Sequence, residues 1–443
     1  MKHPALLILS TAAAILAGCS RDDGIVELPL TPREGYGPFE FGFALASLNT
    51  DDETDVWYKI QINPLSAPSG MSDVEYGAIE TDFYQTVYQG YCSGDISAEW
   101  YDRWTGLLTA ALDNTRLSKA PVKTLIAFAI GKDASGQSVA AIDTDNDLEL
   151  DDEKVFVPAD LDTIWASDNK DSVALANVVT VSAERYSNGE ITQITVPVSV
   201  AYSRRRGSLC TNFATYSETE YNGVGIAVRP RQYLTYSTGL ELVLTGDADP
   251  QTGKVAASRI LRIGDVMNIK GEILRIKGVD TGNNTLLLEK TGLSADETYA
   301  ALPGFKAYPF EGSEFTSGQK VSLEGLRGRY VLLDFWALGC PPCLDEFPVL
   351  RQLHDSTDRE DFEIIGIIYP GREDQIREII SDYGIDWPQI MSDKDTNDIT
   401  GRYGISYFPT TYLIGPDGVI IEKDIRGQAT VDRVLSLLGK NAG

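Results

Sequence analysis

Cys340 and Cys343, in the run Gly339-Cys-Pro-Pro-Cys343, are the residues best placed to do chemistry. Two intervening residues allow a small disulfide ring that opens and closes without unfolding its surroundings, as thiol–disulfide exchange requires. The apolar run Val331–Phe335 before them predicts a buried strand, and the pattern from Pro341 to His354 predicts an amphipathic helix. Cys340 then falls where a helix begins, and free backbone N–H groups and the helix dipole favour a thiolate there. Pro341 and Pro342 have no N–H, so Cys343 is the first later residue able to donate one. This geometry makes Cys340 the exposed, attacking sulfur and Cys343 the more buried, resolving one. Zinc needs four ligands, yet only His3 and His354 are present and there is no second Cys-x-x-Cys. A static disulfide is the remaining alternative, and a peroxidatic site would want a Thr-x-x-Cys context that Cys340 lacks.

Two further cysteines, Cys92 and Cys210, suggest a structural bridge in an oxidising compartment, with two free thiols or a second redox couple as the other readings. Asp143, Asp145, Asp147, Glu149 and Asp151 place oxygen ligands at alternating positions, as a calcium loop does. Leu148 and Lys154 stand where an EF-hand wants Gly and Glu, so an acidic solvated turn is an equal reading and calcium a weak one. The redox pair itself requires no cofactor. Arg204-Arg205-Arg206 reads as a solvated loop.

The elements that must position these groups divide the chain into regions. Residues 19–38, rich in Pro, Gly and charge beyond Gly24, read as a tether. Residues 39–236 show short alternating runs at Val56–Ile62, Thr124–Ile130, Val178–Ala183, Ile191–Tyr202 and Gly225–Arg229, broken by turn residues. This predicts a β-rich domain of unassigned topology and role, with one helix near Ala98–Thr115. Residues 237–300 continue the strand pattern, with a turn at Gly282-Asn283-Asn284, and read as a small β module. From residue 301 to 443 strands alternate with helices and end in a hairpin turned by Pro416-Asp417-Gly418 and a final helix. That order predicts an α/β sandwich around one sheet. The expected fold is therefore multi-domain, a β-rich N-terminal region followed by a C-terminal α/β domain.

With the cysteine motif, its strand and the lead-in Lys320-Val-Ser-Leu-Glu-Gly-Leu-Arg-Gly328, residues 301–443 resemble the thioredoxin-like domains of membrane-associated thiol–disulfide oxidoreductases of the TlpA and ResA type. The resemblance implies exchange of protein disulfides, recharged by a thiol electron donor that it does not identify. It places Pro409 of Phe408-Pro-Thr410 at the family's cis-proline, with Phe408 offering backbone groups to substrate and Trp336 on the aromatic rim. It matches Asp334, six residues before Cys340, to the buried acid beneath the pair, and Glu346, one helical turn after Cys343, to an acid of the ResA branch. A buried carboxylate is raised in pKa and can move the resolving thiol's proton. A strand-end cap for Asp334 and a surface ion-pair partner for Glu346 are the plainer readings. Gly339 departs from the family, which usually carries a second Trp there, and opens the rim over Cys340.

The start of the chain bears on location. Lys2 and the nearly unbroken apolar stretch Pro4–Ala17, about 14 residues and too short to span a bilayer, read as a signal peptide over residues 1–18. Leu16-Ala-Gly-Cys19 resembles a bacterial lipobox, which makes Cys19 the lipidated residue and the membrane a partner through the lipid. Ser20-Arg21-Asp22-Asp23 resembles the surface-export signal of Bacteroidetes lipoproteins, and a solvated linker reads equally well. The expected place is the cell envelope, at the outer membrane, on either its periplasmic or its outward face. A formal net charge of −27 argues against nucleic acid, whose phosphates need clustered Lys and Arg. The expected function is a lipid-anchored thiol–disulfide oxidoreductase, a reductant or isomerase. The alternative is a cell-surface binding lipoprotein whose thioredoxin-like domain is accessory.

Overall fold

The computed structural model describes residues 24–108, 113–231, 233–236 and 239–440. Residues 1–18, Cys19 and the acidic run after it lie outside these. The chain divides into two compact units, Met1–Ala256 with Ile260–Gly264 and Arg275–Lys290, and Ala257–Arg259 with Asp265–Leu274 and Thr291–Gly443.

In the first unit, Ser72–Glu80, Leu125–Lys132 and Ser138–Ile142 pair antiparallel in one sheet, and Val178–Ser187, Glu190–Ser203 and Ser208–Phe213 in another. The inward-pointing residues of these strands, among them Ile79, Ile126, Phe128, Val181, Val198 and Leu209, form one core cluster. Period-two apolar side chains on two facing sheets produce this sandwich. Asn188-Gly189 closes a two-residue hairpin in this sandwich, and Asn222-Gly223 closes another between Thr215–Tyr221 and Val224–Pro230 of a separate sheet, all four residues at positive φ.

Several expectations are corrected here. Ile25–Pro29 and Thr31–Glu34, within the expected tether, are strands, paired with Thr285–Lys290 and Thr215–Tyr221. Val26, Leu28 and Leu30 alternate into the core at 6% exposure each, so burial of one face overrides the local Pro and charge content. Residues 237–300 do not form a module of their own, because Leu240–Leu244 extends a first-unit sheet while Asp265–Leu274 falls in the second unit. Val56–Lys59 is a 3₁₀ turn capped by Asp55 rather than a strand. The expected helix at Ala98–Thr115 ends at Thr105, where Gly106 caps it. A helix at Phe83–Ser93, capped by Asp82 and rich in aromatics of modest helix propensity, carried no clear periodic signal. Cys92 is exposed on this helix whereas Cys210 is buried in a strand beside Ala201 and Leu45, and neither is bonded to another cysteine among the described residues. The expected Cys92–Cys210 bridge is therefore absent from the structure.

The second unit holds a five-stranded sheet in the order Gln389–Met391, Phe362–Ile368, Tyr330–Trp336, Thr410–Ile414, Ile420–Lys423. The first three strands run parallel, Thr410–Ile414 runs antiparallel to them, and Ile420–Lys423 runs antiparallel to Thr410–Ile414 in turn. Val331, Leu333 and Phe335 face one core with Tyr403 and Tyr412. Leu332 and Trp336 face the other, with Cys343, Phe347 and Leu350 of the helix Pro341–Ser356. This two-faced sheet is the thioredoxin-like α/β sandwich the strand–helix order predicts.

Candidate active site

The central strand ends at Trp336, and a short loop carries the chain to Cys340, the N-cap of the helix Pro341–Ser356. Gly339 sits at φ +72° with no atom within 4 Å of where a Cβ would be, so a left-handed turn and an open rim both favour glycine there. Cys340 is half-buried, Cys343 is 1% exposed, and the two form a disulfide. The Cys343 N–H donates to Cys340 Sγ at 3.3 Å. As expected from the two prolines, this is the N–H that meets the sulfur.

Strand alternation puts Asp334 on the same sheet face as Leu332 and Trp336, the face covered by the cysteine helix. Asp334 is 1% exposed and its Oδ1 has no hydrogen-bond partner among the described residues. Burial pushes its carboxyl up to about 7, the charge of Glu346 adds to this, and Arg426 opposes it. It lies inside the strand, opposite Gly366 and Thr411, so it is not a strand-end cap. Glu346 is half-buried and accepts a hydrogen bond from the Gly427 N–H at 2.9 Å. Its job is thereby partly structural, and the fully buried proton-holding acid is Asp334.

Phe408-Pro409 is a cis peptide, as the resemblance implies. Pro409 is buried, and its carbonyl accepts a hydrogen bond from the Arg426 guanidinium. Arg426 thus reaches both the proline loop and, through its charge, the buried acid. Nothing in its local pattern marks it, since an exposed Arg after a terminal strand is ordinary; only the fold brings it here. Phe408 packs at the edge of both cores, and its ring lies 5.4 Å from that of Tyr369, a residue 43% exposed. Tyr369 follows the carboxyl end of a parallel strand, the usual position for site residues in open α/β sheets, and that rule could have found it.

Trp336 does not belong to the substrate rim. It is fully buried, its Nε1–H donates to Gln389 Oε1 at 2.9 Å, and its ring meets Phe347 edge-on at 5.3 Å. The strand's alternation carries it inward, where it supports the helix that bears the cysteines. Of the five acidic residues of the calcium reading, only Asp143, Asp145 and Asp147 come close together. Both Asp143 oxygens accept backbone N–H groups, from Asp147 and Leu148, which makes the segment a self-capped turn. Calcium gains no support.

A mixed five-stranded sheet, a cysteine pair at a helix N-terminus, an acid buried on the face that helix covers and a cis-proline before an inner strand define a thioredoxin-fold thiol–disulfide oxidoreductase. Residues 302–423 match the AhpC/TSA family. The thiol-disulfide oxidoreductase ResA of Bacillus thuringiensis is 32% identical over 123 residues, 28% of this chain and 69% of that protein. ResA of Oceanobacillus iheyensis is 34% identical over 122 residues, 28% of this chain and 62% of that protein. A solved thioredoxin domain of a thiol-disulfide oxidoreductase from Bacteroides vulgatus is 32% identical, with TM-score 0.29, covering 30% of this chain and 96% of that one. Through its C-terminal part the chain belongs to the ResA family of thiol-disulfide oxidoreductases.

Proposed function

We propose that this oxidoreductase works outside the cytoplasm, held to the outer membrane by a lipid on Cys19, and reduces or isomerises disulfides of other proteins. The observation that carries the exchange site is the exposed-to-buried gradient of the cysteine pair, with Cys340 at the helix start and Cys343 beneath it, on the sheet face that holds Asp334.

In the reduced enzyme the Cys340 thiolate attacks one sulfur of the substrate disulfide. A mixed disulfide forms and the other substrate sulfur leaves as a thiolate. Cys343 loses its proton, its sulfur attacks Cys340 Sγ, and the second substrate thiol departs. The Cys340–Cys343 disulfide now holds the oxidising equivalents. Two electrons from a thiol donor restore the dithiol. Asp334 accepts the Cys343 proton, Arg426 and Glu346 fix the surroundings of that acid, and the Phe408-Pro409 loop offers backbone to the substrate.

The deciding measurement is a redox titration of the purified protein against glutathione, read by thiol alkylation and mass spectrometry. A two-electron transition at Cys340–Cys343 that Cys340→Ser abolishes is expected, and the midpoint separates reductant from oxidant. Cys343→Ser should accumulate the mixed disulfide with substrate. A pair locked in one state across the whole range would overturn the exchange reading.

A further inference from the structure

Far along the sequence from the cysteine pair, the first unit contains a cavity of about 550 Å³, within the usual size of a small-ligand site. Its walls include Leu48, Trp57, Ile60, Phe83 and Tyr233, with Glu80 among them. The aromatic side is built in order. Tyr233 stacks on Phe83 with centroids 5.8 Å apart and planes 9° from parallel, and Trp57 leans on Phe83 at 5.7 Å.

The polar groups around the cavity are mostly committed elsewhere. The Asn49 amide donates to the Ile62 carbonyl, Gln61 both accepts from the Thr50 N–H and donates to the Thr50 carbonyl, and Asp55 accepts from the Trp57 N–H. Asp82, next to the cavity, caps the helix that begins at Phe83. Glu80 ends the strand Ser72–Glu80 opposite Leu125 and is half-buried, and its carboxylate has neither hydrogen bond nor ion pair among the described residues. Burial and the charge of Asp82 hold its carboxyl up to about 7. The Tyr233 hydroxyl is pushed up to about 12, by burial first and then by the charge of Glu80, which lines the same cavity.

A half-buried carboxylate without a partner is costly unless a cation joins it. Aromatic faces carry negative charge density and attract cations, most strongly where water is excluded. An anion would meet repulsion from Glu80, Asp55 and Asp82 together. We propose that this cavity is a binding site for an organic cation, an ammonium or guanidinium on an apolar body of dipeptide size. Glu80 takes the charge, and Trp57, Phe83 and Tyr233 take the body.

The test uses calorimetry at pH 8 on the whole chain carrying Cys19→Ser, with Nα-acetyl-arginine 2-naphthylamide and its citrulline counterpart as charged and neutral isosteres. The arginine compound should bind about tenfold more tightly. Glu80→Gln should bring the two to equal affinity, with the redox midpoint of Cys340–Cys343 unchanged, and Trp57→Ala should weaken both. The wild-type ratio needs no variant, so it stands even if a substitution fails to fold. Equal binding of the two compounds, no binding of either at millimolar concentration, or a preference that survives Glu80→Gln would each overturn the proposal.

Discussion

Asp334 carries two consequences that differ in sign with pH. Its folded carboxyl keeps its proton to about 7, whereas an unfolded one releases it near 3.8. Between those values the folded state binds more protons, so stability falls as pH rises across the window and stays low above it. The shift from 3.8 to about 7 corresponds to about 4 kcal/mol. Asp334→Asn should therefore be more stable than the parent at pH 8 by up to that amount and nearly equal at pH 4, as chemical denaturation at the two pH values would read. The same variant should lose activity if, as proposed, the ionised carboxylate accepts the Cys343 proton. Turnover of a protein disulfide should rise through neutral pH in the parent, and Asp334→Asn should remove that inflection and slow turnover roughly 10²-fold. Arg426 opposes the rise at Asp334, so Arg426→Gln should move the inflection to higher pH. An unmoved inflection would confine Arg426 to holding the Pro409 carbonyl.

At the level of elements, the cysteine helix is both scaffold and reagent. Phe347, Leu350 and Leu353 bury its inner face against the sheet, while in its first turn the Cys343 N–H meets Cys340 Sγ. The prolines at its start withhold two such donors. Pro342→Ala returns one N–H near the Cys340 thiolate, favouring the reduced form. The stabilisation expected of such a contact, about 0.3–1 kcal/mol, is equivalent to a midpoint roughly 6–20 mV less negative. Equilibration with glutathione reads this directly, and a more negative midpoint would show that the prolines act through rigidity instead.

For the whole molecule, the proposed lipid anchor and the thiol inventory are the accessible tests. Cys19→Ser should move the protein from the membrane fraction to the soluble one, and protease treatment of intact cells then tells the outward face from the periplasmic one. Denatured without reductant, this variant should yield two alkylated cysteines, Cys92 and Cys210, and one intact bridge, Cys340–Cys343. The net charge of −27 keeps such a chain soluble and disfavours polyanions, but it selects no substrate.

The amino-acid sequence alone determined the cysteine pair and the strand–helix order of residues 301–443, because both rest on local spacing and periodicity. Asp334, Glu346 and Pro409 were legible only through the family resemblance that the cysteine motif brings with it. What tertiary structure decided is whatever depends on which face a residue takes and on contacts distant in sequence. Trp336 turned from rim to core because strand alternation faces it into the helix-covered side. Cys92 and Cys210 stayed apart because one lies exposed on a helix and the other inside a sheet. Ile25–Pro29 became a strand only because Thr285–Lys290, more than 250 residues onward, offers its backbone groups. Arg426 joined the site, and Glu80 met its aromatic wall, through long-range chain placement that no local pattern encodes.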